Sequence, residues 1–454
     1  MANIYDLGLV NYSNTTLNGG KIGSIYMWKH AKLTVKAGTT VDSIDITLGT
    51  PAANIVVEEG ATVNKIITKD GEMEYDEWLA QTNFTTVNNV EQFKKALAEG
   101  YKKIIIASTL NINENQKFSA KSKTFVTTQG TITMFDVKEG NTLTLEKLVL
   151  DGENKYKVDV TKAAEMHNDP YNLFNKYPLE QTRIYENTPL IKTAGTLTLG
   201  NGTVIRNYAH QPKNGANKQQ YGGPAILVTG GQTTIDGLEF TNNVSQLLTA
   251  KNATITINNI NVHDTWADGN KAGLIEINAD ATMDVNNGTF KNNMMSMRSY
   301  GLFIANAGTI NMKGGIYENN YSTRNGSNTA GSLFGVETTG KIYMTSGTVQ
   351  NNIGYRAGAF ATRWATDGSV IELNGGTIKN NTTRDSAFKN AAIFVQSNVK
   401  IGTNMVVEDK VVLRGATAML DHNGKIVGDV ELVDNLGKFN NNGTVTGTII
   451  VTEV

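Results

Sequence analysis

The stretch TINMKGGIYENN (309–320) decides the fold, because six other stretches repeat its pattern: TLTLGNGTVIRN (196–207), TTIDGLEFTNN (233–243), TITINNINVHD (254–264), TMDVNNGTFKNN (282–293), KIYMTSGTVQNN (341–352) and VIELNGGTIKNN (370–381). Each opens with apolar residues two apart, passes a Gly or Asn, takes a short step through one apolar residue, and usually ends on Asn. With Gly202, Gly237, Asn259, Gly288, Gly315, Gly347 and Gly376 as anchors, the units are spaced by 35, 22, 29, 27, 32 and 29 residues. A drifting period of this size is the mark of a solenoid.

Working outward, each unit also has an apolar run near its start, such as Ile226-Leu227-Val228, Leu302-Phe303-Ile304 or Ile393-Phe394-Val395. Pairs such as Met283/Val285, Ile310/Met312 and Ile371/Leu373 alternate with period two, which puts them on one face of a strand. A unit therefore gives about three short strands joined by turns. No unit buries its apolar face alone; stacked units bury one continuous core. The expected fold class is all-β, a right-handed parallel β-helix (solenoid) with small β modules at both ends and one N-terminal capping helix. Ten or so rungs at about 4.8 Å each would extend roughly 50 Å.

The recurrent Asn207, Asn243, Asn293, Asn320, Asn352 and Asn381 have two readings. As turn formers they suit left-handed backbone. Stacked coil on coil, their amides form a ladder, and this is the expected arrangement.

The bulk numbers set limits. The 454 residues exceed a typical globular domain, a limit a solenoid escapes by growing along one axis. The 45 Gly and 39% apolar content suit a turn-rich β protein. A net charge of −1 argues against nucleic-acid binding. With no Cys there are no disulfides or thiolate metal sites, and no cofactor is expected. The opening MANIYDLGLV lacks a basic start followed by an apolar stretch, so no secretory signal is read there. No apolar run reaches membrane-spanning length, so no membrane insertion is expected.

Three segments are expected. Residues 1–83 form an N-terminal short-repeat β module, a possible attachment domain, in which LTVKAGTTVDSIDI (33–46) matches IVVEEGATVNKIIT (55–68). Within it KDGEMEYDEWLAQT (69–82) reads as a linker with one helical turn. Tyr26, Trp28 and Trp78 are candidates either for docking on a partner or for filling the module's own core. Residues 84–415 are the β-helix, opened by a capping helix at about 88–99 that Asn88 or Asn89 caps and Gly100 stops, and interrupted by a polar, aromatic insertion at 151–189. Residues 416–454 return to short units as a C-terminal β end.

The run VNNVEQFKKALAEGYKKIIIASTLNIN (87–113), followed by GNTLTLEKLVLDG (140–152) and many GTIKNN-like turns, resembles the pectate-lyase-like superfamily of parallel β-helices. It is most similar to non-catalytic adhesins and phage fibre or spike proteins, over about residues 85–415. The resemblance implies fold better than activity. It implies a non-enzymatic structural or adhesive protein, most of all a phage virion component (fibre, spike or capsid-decorating protein) made in the host cytoplasm. Its expected partners are copies of itself as a homotrimer, other virion proteins, and host surface polysaccharide. The alternatives are a bacterial cell-surface adhesin and a tailspike-type polysaccharide lyase or glycoside hydrolase.

Insertions fall mostly after the Asn and before the next apolar strand, so they belong to one edge of the stack. That edge gathers the candidate glycan ligands His263, Asp264, Trp266, Asp268, Arg298, Tyr300, Arg324, Arg363 and Trp364. Aromatic faces beside charged groups suit a sugar, which offers an apolar face and many hydroxyls. The bland alternative is a solvated edge of local ion pairs. For hydrolysis Asp264 and Asp268 would supply the two carboxylates. For a lyase Glu276, Glu337 and Arg363 would have to converge, and acidic residues are thin there. No His flanked by Gly on both sides and no Asp-Asp pair occurs, so no catalytic or metal residue is assigned.

Overall fold

The computed structural model of the chain describes residues 3–153, 184–186, 188–211, 223–267, 272–295, 301–322, 332–362, 368–434 and 436–452. It divides into two compact units. The first holds residues 1–86, 98–105 and 122–125; the second holds 87–97, 106–121 and 126–454.

The N-terminal unit is itself a short parallel stack. Asn3–Leu9, Gly20–Met27, Thr39–Asp45 and Thr62–Thr68 pair in parallel, and Asn14–Leu17, Lys32–Val35 and Ile55–Val57 form a second sheet. Ile22, Ile25, Leu33, Val35, Val41, Ile44 and Ile66 fill the space between them. Residues 69–82 are not a linker. Gly71–Glu74 turns back antiparallel on Thr62–Thr68, and the helix Tyr75–Ala80 follows. The apolar residues Tyr75 and Trp78, four-fifths of a turn apart, put their rings 5.9 Å from each other in the core. Trp78 is 7% exposed, whereas Trp28 and Tyr26 are 53% and 49% exposed. Trp78→Ala is therefore expected to destabilise this unit by about 4 kcal/mol, and Trp28→Ala by less than about 0.5 kcal/mol. Urea titrations followed by circular dichroism check both; equal effects would contradict the assignment of Trp78 to the core.

The second unit is a parallel β-helix. One rung shows its logic. Gly301–Asn306 lies in a 13-stranded parallel sheet that runs from Leu110–Ile112 to Ile449–Thr452 (wall 1). The chain then turns into Thr309–Met312 (wall 2), Ile316–Glu318 (wall 3) and Tyr321–Ser322 (wall 4). Like residues stack on like: Ile310 lies beside Met283 and Ile342, and Phe303 beside Ile275 and Phe334. The inward set Phe290, Phe303, Tyr317, Phe334 and Phe360 is fully enclosed, and its rings form a run with centroid separations of 4.7 to 5.7 Å.

The corner between walls 2 and 3 is made by glycine. Gly202, Gly237, Gly288, Gly315, Gly347 and Gly376 all have positive φ. At Gly376, with φ 110°, an added Cβ would stand 2.6 Å from the carbonyl oxygen of Gly347 on the rung before. Only glycine lets successive corners stack that closely.

The helix Val90–Glu99 opens the unit. Asn89 Oδ1 accepts from the Gln92 amide at 2.9 Å, and Gln92 Oε1 accepts from the Asn88 amide at 2.7 Å, a reciprocal cap. Phe93 is fully buried, edge-on to Phe118 and Phe135. At the other end the short units after residue 416 do not form a separate layer. Met419–His422 pairs with Asn398–Ile401 and Lys438–Asn441 with Met419–His422, so they extend the same walls. No helix among the described residues is long and apolar enough to cross a membrane.

Candidate functional site: the asparagine corner and its loops

The corner between walls 3 and 4 carries the repeated asparagines in two different roles. The first of each pair supplies the turn. Asn242, Asn292, Asn319, Asn351 and Asn380 have φ between 52° and 56°, the left-handed region that Asn tolerates. The second residue points inward. Asn243, Asn293, Asn320, Asn352 and Asn381 are at most 2% exposed.

These buried amides are joined rung to rung. Asn293 Nδ2 donates to Asn320 Oδ1 at 3.0 Å, Asn320 Nδ2 to Asn352 Oδ1 at 2.9 Å, and Asn352 Nδ2 to Asn381 Oδ1 at 2.9 Å. The backbone N–H of each donates to the same oxygen, at 3.1, 2.9 and 3.1 Å. The second N–H of each amide reaches a wall 3 carbonyl: Val262, Phe290, Tyr317 and Val349 in turn. Both hydrogens and the oxygen of a primary amide are thus used, which is what a buried corner requires.

Asn207 stands apart from this column. It has φ 55°, the turn role, and Tyr208 takes the inward position. Its side chain joins an outer row, in which Asn242 Nδ2 donates to Asn207 Oδ1 at 2.6 Å and Asn207 Nδ2 donates to Asp151 Oδ1 at 3.1 Å. Asn243 accepts from the Tyr208 amide at 2.9 Å, and the next inward position is Thr265, whose N–H donates to Asn293 Oδ1 at 3.3 Å. The unbroken amide run therefore starts at Asn293.

The run ends on a carboxylate. Asp409 Oδ2 accepts from both Asn381 N, at 2.9 Å, and Asn381 Nδ2, at 3.0 Å. Each amide points one side-chain N–H and its backbone N–H toward this end, so a pure acceptor completes the series. Burial raises the Asp409 carboxyl above its usual pKa, partly opposed by the Asn381 and Asn380 donors. A carboxyl with a raised folded-state pKa binds its proton more tightly in the native chain, so its contribution to stability falls as pH rises through that pKa. Asp409→Asn, neutral at every pH, is expected to be more stable than the parent at pH 8, with the difference shrinking by pH 4. Paired urea titrations at the two pH values read this; a difference independent of pH would contradict it.

Of the glycan candidates, the structure brings His263 and Asp264 together. His263 Nδ1 lies 2.7 Å from Asp264 Oδ2 and 3.2 Å from Thr241 Oγ1, and Nε2 lies 3.1 Å from Glu239 Oε1. Asp264 has φ 50°, taking the place Asn holds in other rungs, and wall 3 register sets Thr241 beside His263. Glu239 is a partner that sequence reading missed; it sits one rung away, two positions before Thr241. Both nitrogens of this mostly buried imidazole, its side chain 19% exposed, are engaged, so the groups a hydroxylated ligand could reach here are the more exposed carboxylates of Asp264 and Glu239. Trp266 is no sugar platform: it is 3% exposed and starts wall 4. Asp268, Arg298, Tyr300, Arg324, Arg363 and Trp364 lie outside the described residues.

Comparison with protein-family models, with curated proteins and with solved structures returned no match.

Glu276 and Glu337, the two carboxylates weighed for lyase chemistry, are not adjacent. Asn306 stands between them, paired in register with Glu337 and donating to Glu276 Oε1 at 3.3 Å. Among the described residues no three His, Asp or Glu side chains converge as metal ligands. Further along the edge, Arg356 is 7% exposed, with its guanidinium 6.0 Å from the Phe388 ring and 5.7 Å from Phe394; Arg414 lies 5.6 Å from Phe388. Burial lowers the Arg356 pKa, opposed by Asp385 and aided by Arg414. Arg356 Nε lies 3.7 Å from Asp385 Oδ2, and the Arg384 guanidinium lies 5.3 Å over the Tyr321 ring.

Proposed function

We propose that the chain is a structural, adhesive subunit of a virion, a fibre, spike or capsid-decorating protein, which turns the loop-bearing corner of its β-helix toward glycans on a host surface. The observation that supports this reading is the amide column. It locks successive rungs in register at the corner from which wall 4 departs, and the segments after Trp266–Ala267, Met294–Met295, Tyr321–Ser322, Ile353–Gly354 and Thr382–Thr383 differ in length from rung to rung. A rigid scaffold whose variable segments follow one corner is how repeat proteins present a binding edge. The resemblance to adhesive members of the pectate-lyase-like superfamily points the same way, and trimeric assembly goes with it.

Light scattering on the purified chain is expected to give three copies per particle. Incubation with host cells or their polysaccharide is expected to give binding without release of reducing ends or unsaturated sugars. A monomer, or release of cleaved sugar, would contradict the proposal.

A further inference from the structure

The β-helix has a step in it. From Trp266–Ala267 to Thr382–Thr383 each rung carries a wall 4 strand before the chain returns to wall 1. The next rung carries none. Asp409 occupies the inward corner position and Lys410–Arg414 begins wall 1 at once. The rung after that has Gly428 in register with Asp409, and Asp429 in register with Lys410. The loop 384–390 therefore overhangs rungs with no counterpart, and the ledge beneath it is a cleft of about 570 Å³, within the roughly 300–1,000 Å³ of ligand sites.

The overhang is held in place. Thr383 Oγ1 donates to the Phe388 carbonyl at 2.7 Å, Thr382 Oγ1 donates to Asn390 Oδ1 at 3.1 Å, and Asp385 Oδ1 caps the turn by accepting from the Ala387 amide at 3.1 Å. Phe388 is anchored under the guanidinium groups of Arg356 and Arg414. A rim fixed in this way costs little further ordering when a ligand binds.

The cleft's chemistry is unlike a cofactor pocket. Apart from Gly428, its walls are amides, one hydroxyl, carboxylates and two ammonium groups. Lys410 is engaged by Glu431. Lys389 and Glu408 are exposed and make no ion pair among the described residues. Asp429 Oδ1 accepts the Thr448 amide at 2.8 Å, leaving Oδ2 as an acceptor. With Lys410 balanced by Glu431, one ammonium faces Glu408, Asp409 and Asp429, an acidic balance. A lining that mixes donors and acceptors suits vicinal hydroxyls; the surplus of carboxylates disfavours a uronic or sialic acid and favours a neutral or amino sugar.

We infer that this ledge, formed by Lys389, Asn390, Glu408 and Asp429 at the end of the amide column, is a binding site for a neutral or amino-substituted pyranose. This rests on the glycan-binding reading above and assigns it a site distinct from the His263 cluster.

The test is saturation-transfer NMR on the full chain with three probes: an N-acetylglucosamine oligomer, glucosamine and glucuronate. The first two are expected to receive saturation and glucuronate is not. The triple variant Lys389→Ala, Glu408→Gln, Asn390→Gly keeps the left-handed backbone at residue 390, where φ is 64°, and touches no residue of the amide column. It is expected to weaken binding at least tenfold, while His263→Ala leaves it unchanged. Unaltered binding by a folded triple variant, or loss on His263→Ala alone, would overturn the ledge assignment and leave glycan binding standing. Selective binding of glucuronate would also overturn it. Wild-type chain that binds no sugar from the panel and no host glycan would overturn both.

Discussion

Asn352→Asp is expected to destabilise the β-helix unit by about 5 kcal/mol at neutral pH, although it changes one NH2 for one oxygen. Asn352 is 1% exposed. Its oxygen accepts from Asn320 N and Nδ2, and its nitrogen donates to Tyr317 O and Asn381 Oδ1, all at 2.9 Å. Aspartate keeps the accepting half but sets a charged oxygen against two lone pairs. Asn352→Ala removes both halves and orphans the Asn320 N–H, an Asn320 side-chain N–H and the Tyr317 carbonyl. At about 1–3 kcal/mol for each buried unpaired group, partly relieved by relaxation, a loss of about 4 kcal/mol follows. The sequence neighbour Asn351 behaves differently. It is exposed and contributes its backbone at φ 56°. Asn351→Gly is expected to cost only a few tenths of a kcal/mol, and Asn351→Val about 1–2 kcal/mol. The Asp variant should recover part of its loss on acidification, because a protonated carboxyl regains one donor. Urea titrations of the four variants measure this. If Asn351 and Asn352 responded alike, the division of labour within each pair would be wrong.

The second large effect is in the ring column. Phe334 is fully buried, stacked 4.7 Å from Phe303 and 4.9 Å from Phe360, and edge-on to Tyr317 at 5.1 Å. Phe334→Ala removes one ring from the middle of a stack that the flanking rungs hold at fixed spacing, so the void cannot close. The expected cost is about 4 kcal/mol, with about 1 kcal/mol more for the lost ring pairs. Phe334→Leu should cost about 1.5 kcal/mol or less. Rungs contact only their neighbours, so the damage should stay local. Backbone hydrogen exchange is expected to speed up across 301–362 and to remain unchanged at 233–257. Uniform acceleration along the whole unit would contradict a stack of semi-independent rungs.

Much of the scaffold is legible in the sequence because its physics repeats. Period-two alternation marks walls that bury one face. Every glycine used as an anchor marks a corner whose φ is positive. The doubled Asn marks the next corner. What the sequence withholds is which member of the pair is buried. In TVIRNYAH a single Asn precedes Tyr208, and spacing alone suggested Asn207 for the column, whereas its backbone takes the turn role. The column's end at Asp409 was equally hidden, since no Asn marks it and the rung that holds it has dropped wall 4. Residues 69–82 read as a linker because they are acidic and polar; two aromatic residues, Tyr75 and Trp78, are enough to fold them onto the N-terminal core. The candidate site is less legible still. The His263–Asp264 pair is contiguous in sequence, but Glu239 reaches it only through register. The ledge depends on the loss of wall 4, where the spacing falls from the 28 residues between Asn381 and Asp409 to the 19 that separate Asp421 from Asn440.

The amide column itself is open to direct observation through the side-chain NH2 groups of asparagine. With selective 15N-asparagine labelling, NH2 resonances assigned by single Asn→Ala or Asn→Asp substitution at each position are expected to fall into two sets. Those of Asn293, Asn320, Asn352 and Asn381, together with Asn243, should exchange with water only as fast as their rungs open, and those of Asn351 and Asn380 should exchange freely. Free exchange at Asn320 and Asn352 in the folded chain would mean that no buried amide run joins the rungs.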